Sequence, residues 1–253
     1  MPAKLSVNIN KYALLRNSRG GHAPDLIAAT ETCIAAGAHG ITVHPRRDQR
    51  HVRFEDVPVI ARHLRSHHPT VELNVECEDH PLLLELVRQV HPDQCTLVPV
   101  NPGEITSDHG WDLPASLDRL RRACAMLRAE QIRSSCFADC DPERIPRFAE
   151  AGTDRVELYT GPYAWAWGTR DQERERALTV GAAAAATACG LGVNAGHDLD
   201  RHNLAGLVDV AELAEVSIGH AQICRALEVG TTQSVRELLA ALGWPTTAAA
   251  PAP

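Results

Sequence analysis

Several features of other protein classes are missing from this sequence. Its 253 residues contain no CxxC pair, and no apolar run approaches the 18 residues that a membrane-spanning helix needs. The first ten residues, MPAKLSVNIN, lack the apolar core of a secretory signal peptide. We therefore expect a cytoplasmic protein that does not enter a membrane and whose scattered cysteines are reduced thiols.

Large aromatic residues and net positive charge are also scarce. Phe, Trp and Tyr make up 4% of the chain, so the core must consist mainly of Val, Ile, Leu and Ala. The formal net charge is −7, which argues against a nucleic-acid-binding protein that relies on a global basic field. Local clusters of basic residues can still bind small anions.

Short β-rich runs alternate along the chain with longer amphipathic runs. Strands are predicted at 5–9, 40–44, 71–76, 94–100, 133–139, 154–160, 192–195 and 215–219. Helices are predicted between them, and one of these starts at the Asp141-Pro142 pair. No GxGxxG follows the first strand, which argues against a doubly wound sheet. We expect an α/β fold, a single-domain (β/α)₈ TIM barrel over residues 1–243, with a disordered low-complexity tail at 244–253.

Polar residues end or follow most of the predicted strands, where a TIM barrel builds its active site. They are Asn8, Asn10, Lys11, His44, Arg46, His51, Asn74, Glu76, Asp139, Glu157, Thr160, Asn194, His197, Gly219 and His220. Glu76 and Glu157 lie among apolar neighbours and need partners, because an unpaired buried charge is costly. Histidines and buried glutamates at one mouth favour a catalytic site for a multistep reaction with several proton transfers.

Two further features of the same barrel end predict anion binding. Gly196 and Gly219 follow the last two strands, where free backbone N–H groups bind phosphate in such barrels. Arg16, Arg19 and Arg46 are candidates for bidentate contacts to phosphate oxygens, although a solvated surface position or a salt bridge would explain each arginine equally well.

Two loops are predicted to move. The glycines of NSRGGHAPD suggest a mobile first loop. The connection at 101–112 is the longest in this interpretation, and we expect it to be a lid that excludes water.

Seven segments together resemble the pyridoxine 5′-phosphate synthases of the deoxyxylulose-phosphate-dependent route to vitamin B6. They are SVNINKYALLRNSRGG, AGAHGITVHPRRDQRH, LNVE, TLVPVNPGEITSDHGWD, VELYTGPYA, GLGVNAGHDL and EVSIGHA, in family order over residues 5–230. The resemblance implies a TIM barrel that assembles as a homo-octamer built from dimers, without a metal or an organic cofactor. It also implies a transferase reaction that condenses 3-amino-2-oxopropyl phosphate with 1-deoxy-D-xylulose 5-phosphate, giving pyridoxine 5′-phosphate, inorganic phosphate and water.

The same resemblance implies roles for individual residues. His44 matches the general base, Glu76 a second acid/base group, Glu157 a stabiliser of charged intermediates, and His197 a proton donor when phosphate leaves. Contacts to the phosphorylated ligands carry over to Asn8, Arg19, Arg46, His51, Thr106, Gly219 and His220.

Three candidate substrate-binding positions depart from the commoner family pattern. Asn10 and Lys11 stand where many members have an Asp–His pair that touches substrate. Asp198 stands where some members have glycine, and a backbone N–H contact could survive that change.

Three alternatives stay open on the residues alone. A metal-dependent TIM-barrel isomerase or hydrolase would use His44, Glu76, Glu157 and His197 as ligands. A Schiff-base aldolase would use Lys11 as its nucleophile. A non-catalytic phosphate-ligand-binding barrel would bind product without turnover.

Overall fold

The chain folds into a closed barrel of parallel strands, in which β8 pairs with β1. This computed structural model describes residues 1–101, 103–104 and 106–245. The eight strands are β1 (Lys4–Asn8), β2 (Gly40–Val43), β3 (Glu72–Cys77), β4 (Gln94–Leu97), β5 (Arg133–Asp139), β6 (Arg155–Tyr159), β7 (Gly192–Gly196) and β8 (Leu213–Ile218). The predicted (β/α)₈ TIM barrel is confirmed.

Helices surround the barrel and connect its strands. They are α1 (Asn10–Asn17), α2 (Leu26–Ala35), α3 (Asp56–His67), α4 (Pro81–Val90), α5 (Leu113–Ala129), α6 (Pro146–Ala151), α7 (Gly161–Ala166), α8 (Gln172–Ala188), α9 (His220–Val229) and α10 (Thr231–Ala241). A short 3₁₀ helix spans Asn203–Gly206. Within the described part of the chain, no helix combines the length and the apolar character of a membrane span.

Three local predictions differ from the structure. The pattern does not predict α1, which is only two turns long and has a polar first turn. Helix α6 begins at Pro146 and not at Asp141, because a proline inside the run has no N–H for a helical bond and fits only the first turn. Strand β4 ends at Leu97, two residues before Pro99, and does not continue to residue 100.

The main apolar core lies between the barrel wall and the helices. Outward-facing side chains such as Leu5, Ile41 and Val75 are fully buried there against helix residues such as Ile60 and Leu64. The core is mainly aliphatic, as the scarcity of aromatic residues predicts.

The interior of the barrel is polar, because the inward positions of the strands carry hydroxyl, amide and charged groups. The hydroxyls of Ser6 and Thr42 are 2.7 Å apart, and Thr96 donates to the amide oxygen of Asn74 at 3.1 Å. Asn194 donates to the side-chain oxygen of Gln94 at 3.3 Å. Asn74 and Asn194 therefore lie inside the barrel, below the predicted mouth residues.

The end of the described chain packs against its beginning. The indole nitrogen of Trp244 donates to the backbone oxygen of Ala3 at 2.8 Å, and its ring centroid lies 4.4 Å from that of His39. Residues 246–253 of the predicted tail lie outside the described residues, so the disorder of the tail stays a prediction.

Candidate active site

A cavity of about 260 Å³ opens at the carboxyl ends of the strands. It is lined by Asn8, Asn10, Lys11, His44, Arg46, His51, Glu76, Thr106, Glu157, His197, Asp198, Leu199, Ser217, Ile218, Gly219, His220 and Ala221. All the residues to which the family resemblance assigns a role are in this lining except Arg19, and so are Asn10, Lys11 and Asp198. The other candidates from the strand ends and the basic segment are not in it: Arg16, Asn74, Asp139, Thr160, Asn194 and Gly196. Residues from distant parts of the sequence thus meet in one cavity, because every strand points its carboxyl end toward the same mouth.

His44 and Glu76 form a buried pair at the centre of the cavity. His44 follows β2 and Glu76 lies near the end of β3, and the His44 Nδ1 atom is 3.1 Å from a Glu76 carboxylate oxygen. An ionised carboxylate only accepts hydrogen bonds, so Nδ1 carries the imidazole proton and Nε2 is left as the acceptor. A carboxylate that holds an imidazole in one tautomer in this way leaves a nitrogen that can act as a general base.

Burial and the charged neighbours shift the pKa values of this pair. Burial lowers the pKa of His44 from its ordinary value, and the nearby Glu76 only partly offsets this effect. Burial alone would raise the pKa of Glu76, but the hydrogen bond from His44 and the proximity of His197 and Arg46 outweigh it and lower the pKa. The pair therefore rests as neutral imidazole beside ionised carboxylate.

Two asparagines of the NIN segment hold this pair in place. The Asn10 side-chain oxygen accepts the backbone N–H of His44 at 2.9 Å. The Asn8 side-chain oxygen accepts the backbone N–H of Asn10 at 3.0 Å, and its amide group is 3.5 Å from both oxygens of Glu76. Asn10 accepts here through a side-chain oxygen, which an aspartate at this position would also offer.

Glu157 is a second carboxyl group, and its surroundings favour the protonated form. Burial raises its pKa well above the ordinary value, and the charges of Glu76 and Glu215 raise it further. The Thr96 hydroxyl lies 3.4 Å from one of its oxygens. A Cβ atom at Gly196 would lie 2.4 Å from the other oxygen, so the glycine is needed for the carboxyl group to fit. A protonated carboxyl group in a cavity can act as a general acid.

His197 lies on a tight turn after β7. Both His197 (φ +78°) and Asp198 (φ +58°) have left-handed backbone conformations, which non-glycine residues seldom adopt. The Thr160 hydroxyl is 2.6 Å from the carbonyl oxygen of Gly196 and 2.7 Å from that of His197. The glycine that some family members have at position 198 fits this conformation without strain.

The ring of His197 is packed among aromatic side chains. Its centroid is 5.0 Å from that of Phe137 and 5.6 Å from that of Tyr159. Burial lowers its pKa from the ordinary value, and the charge of Glu76 opposes this shift. His197 is thus neutral when the cavity holds no anion, although it has an N–H to donate.

Arg46 and His51 form a buried, electropositive wall. The Arg46 side chain reaches the Ser107 hydroxyl at 3.3 Å, but its Nε and Nη1 atoms have no hydrogen-bond partner among the described residues. Burial and the charge of Lys11 lower the pKa of His51 to about 4. Two buried guanidinium donors without a partner are costly, so this wall is suited to an anionic ligand.

A second region suited to an anionic ligand lies at the junction of β8 and α9. Gly219 precedes the first turn of α9, whose first N–H groups have no partner within the helix. A Cβ atom at Gly219 would lie 2.8 Å from the carbonyl oxygen of Asn8, so only glycine fits there. Ser217, on the same face of β8, also lines the cavity; the alternation Glu215, Ser217, Gly219 indicates its inward position, but the sequence analysis missed it.

Two arginines of the RNSRG segment lie elsewhere. Arg16 is buried and makes a bidentate contact with Asp56, at 2.7 and 2.8 Å. Arg19 is exposed in the turn after α1 and does not line the cavity. The structure therefore gives Arg16 a salt bridge, whereas a role for Arg19 in binding phosphate stays a prediction.

The connection at 101–112 reaches the cavity through Thr106. Its far end is anchored, because Gly110 donates to Asp139 at 2.7 Å and Trp111 donates to the carbonyl oxygen of Leu97 at 2.8 Å. Pro102 and Ile105 lie outside the described residues, and the predicted lid function stays a prediction.

Comparisons with known proteins agree with this geometry. Residues 5–243 match the family model described as pyridoxal phosphate biosynthesis protein PdxJ. A pyridoxine 5′-phosphate synthase of Xanthomonas campestris pv. campestris (strain B100) is 48% identical, with 98% of this chain and 100% of the relative covered. The pyridoxine 5′-phosphate synthase of Rhizobium meliloti (strain 1021) is 45% identical, with 96% and 99% covered.

Solved structures show the same fold at much lower identity. Tryptophan synthase from M. tuberculosis matches with a TM-score of 0.65 at 14% identity, covering 96% of this chain and 94% of that one. Phosphoribosyl anthranilate isomerase from Thermus thermophilus matches with a TM-score of 0.58 at 16% identity, covering 95% and 98%. At such identities the likeness concerns the barrel fold alone.

Proposed function

The chain belongs to the PdxJ family and is a pyridoxine 5′-phosphate synthase, and we propose that it works through four acid/base groups, His44, Glu76, Glu157 and His197. The reaction joins 3-amino-2-oxopropyl phosphate to 1-deoxy-D-xylulose 5-phosphate, releasing inorganic phosphate and water. The observation that carries the proposal is the His44–Glu76 pair, which leaves a neutral imidazole nitrogen free to take protons inside the cavity.

The two anion-binding regions fit two phosphorylated substrates. One phosphate would contact the N–H groups at the start of α9, near Gly219 and His220. The other would take the unpaired donors of Arg46 and neighbouring His51. Lys11 and Asn8 line the same cavity and are proposed to bind the substrates' oxygen atoms.

The substrate's own amine supplies the nucleophile, so the protein residues need only move protons. The amine attacks the ketone, and the resulting carbinolamine loses water when Glu157 protonates the departing hydroxyl. The Glu157 carboxylate that remains then faces the cationic imine and stabilises it. His44 Nε2 removes the carbon-bound proton that leads to the enol form.

The later steps need a proton for the leaving phosphate and a second loss of water. Binding of the phosphates places negative charge near His197 and raises its pKa, so the ring can hold the proton that it gives to the departing phosphate. Thr106 and Asp198, at the edge of the cavity, are proposed to contact the ligands as the connection at 101–112 closes.

We also propose that the enzyme acts in the cytoplasm as a homo-octamer built from dimers. The family resemblance supports the assembly, and the exposed Leu14 and Leu15 of α1 offer apolar surface for it. The eight cysteines, all free, are compatible with a reducing compartment.

A direct assay tests the proposed function. The purified protein is mixed with both substrates, and pyridoxine 5′-phosphate and inorganic phosphate are measured over time. We expect the two products in equal amounts, and neither when one substrate is omitted. A folded protein that binds pyridoxine 5′-phosphate without forming it would contradict the proposal.

A further inference from the structure

Three side chains converge outside the barrel, on the surface between α2 and α3. They are Glu31 of α2, His63 of α3, and His68, the residue that follows α3. His68 Nε2 is 2.7 Å from Glu31 Oε1, and His63 Nε2 contacts the same carboxylate oxygen. Two imidazole nitrogens and one carboxylate oxygen thus meet at one point.

The backbone and a neighbouring ring hold the two histidines in this arrangement. The backbone N–H of His68 donates to the carbonyl oxygen of Leu64 at 2.7 Å, which closes the last turn of α3. The His67 ring stacks on the His63 ring with centroids 4.6 Å apart. His67 itself turns back to the carbonyl oxygen of His63 at 3.1 Å and takes no part in the cluster.

The donor set is the one that Zn²⁺ prefers. Zinc binds histidine nitrogen and carboxylate oxygen at about 2.0–2.2 Å, in sites with four ligands. One ligand atom from each of Glu31, His63 and His68 lies within 4.8 Å of the others, so one ion can reach all three after a small outward movement of the carboxylate. The imidazoles then bind through the Nε2 atoms that already point to the common centre.

The site is partly open to solvent. The exposed fractions of the side chains are 19% for His63, 24% for His68 and 43% for Glu31, so an ion can enter and a water molecule can complete its coordination. None of the three lines the cavity at the barrel mouth. An ion here would join two helices and would not take part in the reaction.

We propose that Glu31, His63 and His68 form a binding site for Zn²⁺, which clips α2 to α3 on the outer surface of the barrel. The competing interpretation is a plain hydrogen-bonded cluster, in which both histidines donate their Nε2 protons to the carboxylate. The two interpretations differ in what happens when zinc is added to the metal-free protein.

The test is a titration of full-length, tag-free protein, stripped with chelator, with Zn²⁺ alone in a calorimeter. We expect one equivalent of zinc to bind the wild type. His68→Gln, His63→Gln and Glu31→Gln should each weaken binding at least about 10-fold, since losing even an outer-shell partner commonly costs 10–100-fold in metal affinity. The control His67→Gln changes a histidine of the same helix that stacks on His63 but does not contact Glu31, so it should lose far less affinity than the three ligand variants.

Circular dichroism and pyridoxine 5′-phosphate synthesis show whether each variant is folded. Both should stay at the wild-type level in all four variants, because the site lies away from the cavity. The proposal is overturned if the wild type binds no zinc at this site, if the three ligand variants retain full affinity, or if His67→Gln loses as much affinity as His68→Gln.

Discussion

The environment of His44 determines which of its nitrogens can accept a proton. Glu76 takes the hydrogen bond from Nδ1, and Asn10 fixes the backbone of the same residue. The ring is buried, so the neutral form is favoured and Nε2 is available as a base at neutral pH. Glu76 thus contributes by orienting a base and by setting its pKa.

The pH dependence of kcat/KM should report this environment. Burial lowers the pKa of both His44 and His197 below 6.5, so both rings are neutral above that pH and gain a proton only as the pH falls further. We therefore expect kcat/KM to decline on the acid side with a midpoint below 6.5. Glu157, whose pKa is raised, should cause a second decline as the pH rises and its proton is lost.

The variant Glu76→Gln tests whether Glu76 sets the pKa of His44. Glu76 raises the pKa of His44, so its replacement by a neutral amide should move the acid-side midpoint to still lower pH. Initial rates of pyridoxine 5′-phosphate formation across the pH range give the comparison. A midpoint that stays where it is, or rises, would argue against the pairing.

Gly196→Ala should damage catalysis although it replaces no titratable residue. The added methyl group would lie 2.4 Å from a Glu157 oxygen and must displace this carboxyl group. A displacement of about 1 Å can cost on the order of 10²-fold in rate, and we expect a loss of kcat of that size.

The matched control for this change is Gly21→Ala. A Cβ atom at Gly21 meets no heavy atom within 4 Å, and the residue does not line the cavity. Steady-state kinetics should leave Gly21→Ala near the wild type. Equal rates for the two alanine variants would show that Glu157 tolerates the methyl group.

At the scale of single residues, the sequence predicted the position of the site better than its contacts. His44 and His197 directly follow strands, and Glu76 lies near the end of its strand. Glu157 lies in the middle of β6 and faces the same cavity. The rule that TIM barrels build their sites at the carboxyl ends of the strands is therefore enough to predict that these residues meet. The bidentate contact between Arg16 and Asp56 joins residues 40 positions apart, and no local pattern indicates it. The roles of the lining residues stay proposals.

At the scale of the elements, the ion pair between Arg16 and Asp56 fastens α1 to the rest of the fold. The helix has only two turns, and it exposes Leu14 (40%) and Leu15 (50%) to solvent, so its own apolar face is narrow. The Arg16 guanidinium binds the Asp56 carboxylate, which also accepts the backbone N–H of Arg53 at 2.7 Å. One carboxylate thus joins α1 to the start of α3.

Asp56→Ala should destabilise the protein by about 3 kcal/mol, because removing one partner of a buried ion pair leaves the other charge without compensation. Only 9% of the Arg16 side chain is exposed, so water cannot replace the lost contact well. The free energy of unfolding in urea measures the effect.

The exposed pair Arg88–Glu85 gives the comparison for this experiment. Its side chains are 48% and 51% exposed, and such pairs contribute at most about 1 kcal/mol. Glu85→Ala should therefore change the free energy of unfolding much less than Asp56→Ala. Equal effects of the two substitutions would mean that burial of the Arg16 pair does not matter.

For the molecule as a whole, the repeated strand–helix units were enough to predict a closed barrel. The polar interior was harder to predict, because each of its hydrogen bonds joins different strands. The contacts between Ser6 and Thr42, and from Thr96 to Asn74 and Glu157, depend on the relative register of four or more strands. Alternation within one strand shows which residues face inward, but not at which level they meet.

The polar interior of the barrel supports the Glu157 carboxyl group in the cavity above it. Thr96 connects the carboxyl group of Glu157 to the amide of Asn74, so the acid at the mouth is supported by a layer of hydrogen bonds below it. An aliphatic barrel interior of the same shape would leave the Glu157 carboxyl group without that partner.

The proposal that His44 is the general base is tested most simply with the variant His44→Ala. Its rate of pyridoxine 5′-phosphate formation is compared with that of the wild type. His67→Ala, which makes the same change at a histidine away from the cavity, serves as the control. We expect His44→Ala to fold normally but to be slower by roughly 10²–10⁴-fold, the usual contribution of an acid/base group, while His67→Ala keeps the wild-type rate. A folded His44→Ala variant that forms the product at nearly the wild-type rate would contradict the proposal.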